Sequence, residues 1–93
     1  MTSRSVTVSN ALGLHARAAA RFVHLASQFE SQIRVGRGAK VMDGKSIMGI
    51  LLLAAARGTA LTVSADGTDE TAAVDALVQL VESGFGEIGR AHV

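Results

Sequence analysis

His15 is the residue best placed to do chemistry. It follows Gly13-Leu14 in a loop, opens a stretch of strong helix formers, and has Arg17 two residues on. A helix N-terminus presents unpaired backbone N–H groups and the positive end of the helix dipole, so it can hold an anion. A neutral imidazole there can attack phosphorus. The phosphoryl group it then carried would meet N–H donors and a guanidinium. The same position also suits a plain polar helix cap. His24, nine residues later, falls off the apolar stripe of its helix and reads as a solvated or boundary side chain. His92 lies close to the end of the sequence. No paired-His spacing of the HExxH kind occurs and Cys is absent. No metal site, thiol nucleophile or disulfide is therefore expected.

Ser46 is the second candidate. It precedes an apolar run and is a good helix N-cap. A phosphate on its hydroxyl would sit at the positive end of the dipole, so the fold would tolerate it. It would also place roughly −1.5 to −2 charge beside apolar surface. That surface is the third candidate. Ile47, Met48, Ile50, Leu51, Leu52 and Leu53 are more apolar residues than one face of a short helix can bury. Either the helix is buried on most sides or some of these residues form a docking patch. The acids stand singly or beside one another at turns, caps and solvated faces, without an acid–base pair. Gly36-x-Gly38 lacks the following helix and Lys of a phosphate loop. A conventional small-molecule enzyme is not expected, and neither is a cofactor.

These residues need a scaffold. Val6 and Val8 alternate with Ser5, Thr7 and Ser9, which predicts a half-buried strand over 3–9. Ala19, Phe22, Ala26 and Phe29 recur at helical spacing and predict a helix from about 16 to about 28. Ile33 and Val35, the Gly36-Arg37-Gly38 turn and a return over 39–42 predict a hairpin. A helix capped by Ser46 and stopped by Gly58 follows. Leu61, Val63 and Ala65 mark a fourth strand. Thr68 or Asp69 is expected to cap the last helix, with Asp69 and Glu70 in its first turn, Ala73, Leu77 and Leu80 or Val81 buried, and Gly84 as its stop. Phe85 to Val93 shows no period and reads as a loose tail. The order is β-α-β-β-α-β-α, with one wet and one apolar face per strand. That predicts an α+β open-faced β-sandwich, a four-stranded antiparallel sheet packed on three helices.

Composition sets the limits. Ninety-three residues make one small domain. The chain is 48 % hydrophobic, but sixteen residues are Ala and the only aromatics are three Phe. The core must be built from Val, Ile, Leu and Phe over small Ala contacts. A net charge of +1 with no Tyr or Trp gives neither a basic stripe nor a stacking platform, so nucleic acid is not expected as a partner. No apolar run approaches the roughly 20 residues that span a bilayer, so no membrane insertion is expected. The first residues lack the apolar segment of a secretory signal. A cytoplasmic protein is the expectation.

Two motifs carry a resemblance. Gly13-Leu14-His15-Ala16-Arg17 before an Ala-rich helix, and Gly44-Lys45-Ser46-Ile47-Met48-Gly49 before an apolar helix, resemble HPr. This is the histidine-containing phosphocarrier family of the bacterial phosphoenolpyruvate-dependent phosphotransferase system. The resemblance covers residues 3–87 and implies a domain over 1–87 with a tail over 88–93. It implies that His15 takes a phosphoryl group on Nδ1 from Enzyme I and passes it to EIIA domains. It also implies that Arg17 neutralises the phosphoryl charge, helped by the N–H groups of Ala16 and Arg17. Ser46 would be the target of HPr kinase/phosphorylase. Ala16, Ala20, Ile47, Met48 and Leu51 would form the docking face of a monomer with transient partners. The family's usual Pro after the arginine is Ala18 here, which removes a constraint on φ at the helix start. The alternatives are a regulatory interaction protein read through Ser46, a nitrogen-related phosphotransfer branch, and a binding module of this fold without phosphotransfer.

Overall fold

A computed structural model of the chain describes residues 1–87. The strands are β1 (Thr2–Thr7), β2 (Gln32–Arg37), β3 (Lys40–Asp43) and β4 (Ala60–Asp66). The helices are α1 (Ala16–Ala26), α2 (Ile47–Leu52) and α3 (Glu70–Glu82), followed by a 3-10 turn over Gly84–Gly86. One antiparallel sheet runs in the order β1-β4-β2-β3. The sheet register explains the two faces. Val6 sits opposite Leu61, Val35 opposite Val63, and Ile33 opposite Ala65. All six are buried, because directly opposed residues share a face and this one meets the helices. Ser5 opposite Thr62 and Ser3 opposite Ser64 form the other face. The expected open-faced β-sandwich is the observed fold.

α3 covers β1 and β4, and α1 packs between α2 and α3. Phe22, Ala18, Ala19 and Ala26 of α1 are buried with Val74, Leu77, Val78 and Val81 of α3. Ala keeps α1 close to its neighbours, so bulk in the core comes from Phe22, Phe85, Ile33, Ile50 and the Leu and Val side chains.

Three expectations change. The helix capped by Ser46 ends at Leu52, six residues before Gly58. Its last carbonyls are taken by side chains of the hairpin: Arg37 donates to Leu53 O at 2.8 Å and Lys40 to Leu52 O at 3.2 Å. Ala54 then turns left-handed (φ 50), and Ala55 O accepts the Leu14 N–H at 2.9 Å. These contacts end the helix early. Asp69 does occupy the N-cap of α3, but its carboxylate does not cap the helix. It accepts the backbone N–H groups of Glu30 (2.8 Å) and Ser31 (3.0 Å) and the Ser31 hydroxyl, so it pins the α1–β2 turn. Finally, residues 85–87 are not loose. Phe85 is fully buried with a left-handed backbone (φ 59), and its carbonyl accepts from Arg21. Residues 88–93 of the expected tail, with His92, lie outside the described residues.

Candidate functional site

The loop before α1 is a tight turn. Gly13 N–H donates to Asn10 O at 3.1 Å, and Gly13 has φ +64. A Cβ there would lie 2.5 Å from Ala55 O, so only glycine fits both the backbone and the approach. Leu14 is buried beyond it and bonded to Ala55. The segment after α2 thus fixes the height at which His15 emerges.

His15 is the N-cap of α1, with extended backbone (φ −76, ψ 177). Its Nδ1 accepts the Arg17 N–H at 3.3 Å, a long bond. The cap reading of His15 is therefore correct, and it leaves a lone pair on Nδ1 only weakly engaged. In the neutral ring the proton then resides on Nε2. That nitrogen meets Glu87 Oε2. The His15 side chain is 26 % exposed and the Glu87 side chain 17 %. Asn10, a buried polar residue, donates from Nδ2 to Gly13 O at 2.8 Å and to Glu87 Oε1 at 3.1 Å.

The other predicted residues divide into two groups. Arg17, Ala16 and Ala20 are exposed on the first two turns of α1. Arg17 and Ala20 border an open depression of roughly 550 Å³ shared with Arg21, His24, Leu80 and Phe85. His24 is exposed, as its spacing predicts. Ser46 caps α2: its Oγ accepts the Gly49 N–H at 3.0 Å. Ile47 (45 %) and Met48 (65 %) are exposed, whereas Leu51 is half-buried against the core. Leu52, of the same apolar run, is exposed as well, and so is Leu12, an apolar loop residue that the sequence did not single out. Sequence reasoning also missed Asn10 and Glu87. A lone Glu in an aperiodic stretch gives no signal that it meets a histidine 72 positions earlier.

Among the described residues, no helix is long and apolar enough to cross a membrane. No cluster of three or more His, Asp or Glu could hold a metal ion among them.

A four-stranded open sheet backed by three helices, offering one histidine at a helix N-terminus, defines a small open-faced α+β domain that presents an imidazole at its surface. Comparison with known proteins makes this specific. The family described as "PTS HPr component phosphorylation site" matches residues 2–83. "Phosphocarrier protein HPr" of Cupriavidus necator is 47 % identical over 87 residues, covering 94 % of this chain and 98 % of the relative. "Phosphocarrier protein NPr" of Shewanella violacea is 42 % identical over 84 residues, covering 90 % and 92 %. The crystal structure of HPr-C-His from Thermoanaerobacter tengcongensis superposes with a TM-score of 0.90 at 48 % identity, covering 94 % of this chain and 98 % of that one. The chain belongs to the HPr family: it is a phosphocarrier of the phosphotransferase system, not a stand-alone catalyst.

Proposed function

We propose that His15 is the phosphoryl-carrying residue, loaded through Nδ1 by Enzyme I from phosphoenolpyruvate and unloaded onto EIIA domains. The observation that carries this reading is the weak 3.3 Å contact of Nδ1 with the Arg17 N–H at the start of α1. Attack on phosphorus needs that lone pair, and breaking so long a bond costs little. Once the N–P bond forms, the freed N–H can donate to a phosphoryl oxygen, as can that of Ala16. The exposed Arg17 guanidinium can swing onto the same group. Ala16, Ala20, Ile47, Met48 and Leu51 make up the face that meets these partners. Residues 1–87 act as one unit, a cytoplasmic monomer in this reading.

Ser46 is proposed as a regulatory site for HPr kinase/phosphorylase, because its hydroxyl stands beside exposed Ile47 and Met48. A nitrogen-related role is the second reading, favoured by the relative named NPr. The test is the intact mass of the protein after incubation with Enzyme I and phosphoenolpyruvate, before and after mild acid. One added phosphoryl group that acid removes is the expected result, and His15→Ala should take none while keeping its circular dichroism. Labelling retained in that variant would move the site to His24 or His92. No added mass with a sugar-type Enzyme I, but labelling with a nitrogen-type one, would select the second reading.

A further inference from the structure

We infer that Glu87 is a positioning residue for His15: its carboxylate holds the Nε2 proton, and so presents Nδ1 as the nitrogen that takes the phosphoryl group. The inference rests on the phosphocarrier reading above. Glu87 lies beyond residue 83, where the family match ends, and the motif around His15 says nothing of it.

The contact is built into the fold. Oε2 of Glu87 meets His15 Nε2, while Oε1 is held by Asn10 Nδ2 at 3.1 Å. The same Asn10 amide group donates to Gly13 O at 2.8 Å, so one buried side chain ties the carboxylate to the loop that carries the histidine. The turn that delivers Glu87 is fixed from behind. Phe85 is fully buried, Arg21 of α1 donates to Phe85 O, and Glu87 N–H donates to Gly84 O at 3.0 Å. The two ring nitrogens are thus held from opposite sides, Nε2 by a carboxylate and Nδ1 by a backbone N–H. Only one neutral tautomer satisfies both.

This arrangement fits the charge that develops. In the transfer the Nδ1 lone pair forms the N–P bond while the donor's bond to phosphorus breaks, its electron pair returning to the donor. The Nε2 proton stays in place, so the ring becomes a cation beside the Glu87 carboxylate. In the onward step the N–P bond breaks, its pair returns to Nδ1, and the ring leaves as neutral imidazole. A fixed carboxylate at Nε2 orients the ring and offsets that charge without ever taking the proton. This division of labour between carboxylate and imidazole recurs where histidine is held for catalysis.

The test uses the full chain as wild type, Glu87→Ala and Glu87→Gln. The 15N NMR signals of the His15 ring are recorded at a pH where the ring is neutral, and the rate of phosphoryl acceptance from Enzyme I is measured. The wild type should show the Nε2–H tautomer. Glu87→Ala should show a mixture of tautomers and accept phosphoryl on the order of tenfold more slowly, the low end of the loss seen when the carboxylate behind a metal-bound histidine is removed. Glu87→Gln should keep the tautomer, since its carbonyl still accepts the proton, yet remain slow because the charge is missing. An unchanged tautomer or an unchanged rate in Glu87→Ala overturns the inference. A merely structural role would lower the melting temperature and leave the tautomer alone. If the wild type accepts no phosphoryl group, the carrier reading falls. The NMR arm then decides the contact by itself: a moved tautomer upholds it and an unmoved one removes it.

Discussion

At the scale of single residues, Ser46 joins an observed cap and a proposed regulatory role on one atom. Its Oγ accepts the Gly49 N–H, one of the orphan donors at the start of α2. Ser46→Ala should remove that cap at a cost of about 1 kcal/mol. For a chain this small the melting temperature should fall by about 4–8 °C. Ser46→Asp keeps a capping oxygen and adds charge at the favourable end of the dipole, so its stability should stay within about 0.5 kcal/mol. It also puts a charge beside Ile47 and Met48, so it should slow transfer from Enzyme I. Comparing the two variants by denaturation and by transfer rate separates cap from switch; an unchanged rate in Ser46→Asp would leave Ser46 as a cap alone. The caps at His15 and Ser46 were legible because their bonds reach only two and three residues along the chain. Ala18, where the family pattern has Pro, is fully buried, so packing of α1 holds the helix start that the missing ring would have constrained.

At the scale of elements, the Gly84–Gly86 turn is where periodicity misleads. Its aperiodic, glycine-flanked sequence has the look of a tail, yet Phe85 is among the largest fully buried side chains. Phe85→Ala should therefore cost about 3–5 kcal/mol in urea unfolding, the range for a buried Phe. A loose segment would give a change within about 0.5 kcal/mol, and that outcome would return Phe85 to the surface. The early end of α2 is the same lesson in reverse. The apolar run continues to Ala56, but Arg37, Lys40 and Leu14 claim the backbone carbonyls of residues 52–55. A helix ends where tertiary donors offer its carbonyls better partners than water does.

At the scale of the whole molecule, charge ties the edge strand to the helical layer. Arg4 and Thr2 of β1 lie opposite the buried Val63 and Ala65, so they face α3, where they meet Asp75 and Glu70. Glu70 is pulled from its ordinary 4.5 to about 2, first by the Thr2 hydroxyl at 2.6 Å. The Gly67 N–H and the N-terminal ammonium at 3.1 Å pull it the same way. Asp69 is lowered from 3.8 as well, chiefly by the Ser31 hydroxyl. Depressed carboxylates bind fewer protons folded than unfolded, so their contribution is present above about pH 4.5 and is lost as pH falls toward 2. Urea midpoints measured across that range should decline for the wild type, and Glu70→Gln should flatten part of the decline. A slope identical in the two proteins would show that Glu70 does not report the β1–α3 contact.

The order of strands and helices, the wet and apolar faces, the caps at His15 and Ser46, and the family can all be read from the chain before it folds. All of these are written in short-range patterns: alternation of two, steps of three and four, and motifs of five or six residues. It takes the folded molecule to bring Glu87 to Nε2 of His15, to set Asn10 against Glu87, to pin with Asp69 a turn 38 positions away, and to stop α2 at Leu52. Each of these is a hydrogen bond whose partner lies far along the chain. A side chain's type states what it can donate or accept, but packing chooses which of many chemically equal partners comes within reach.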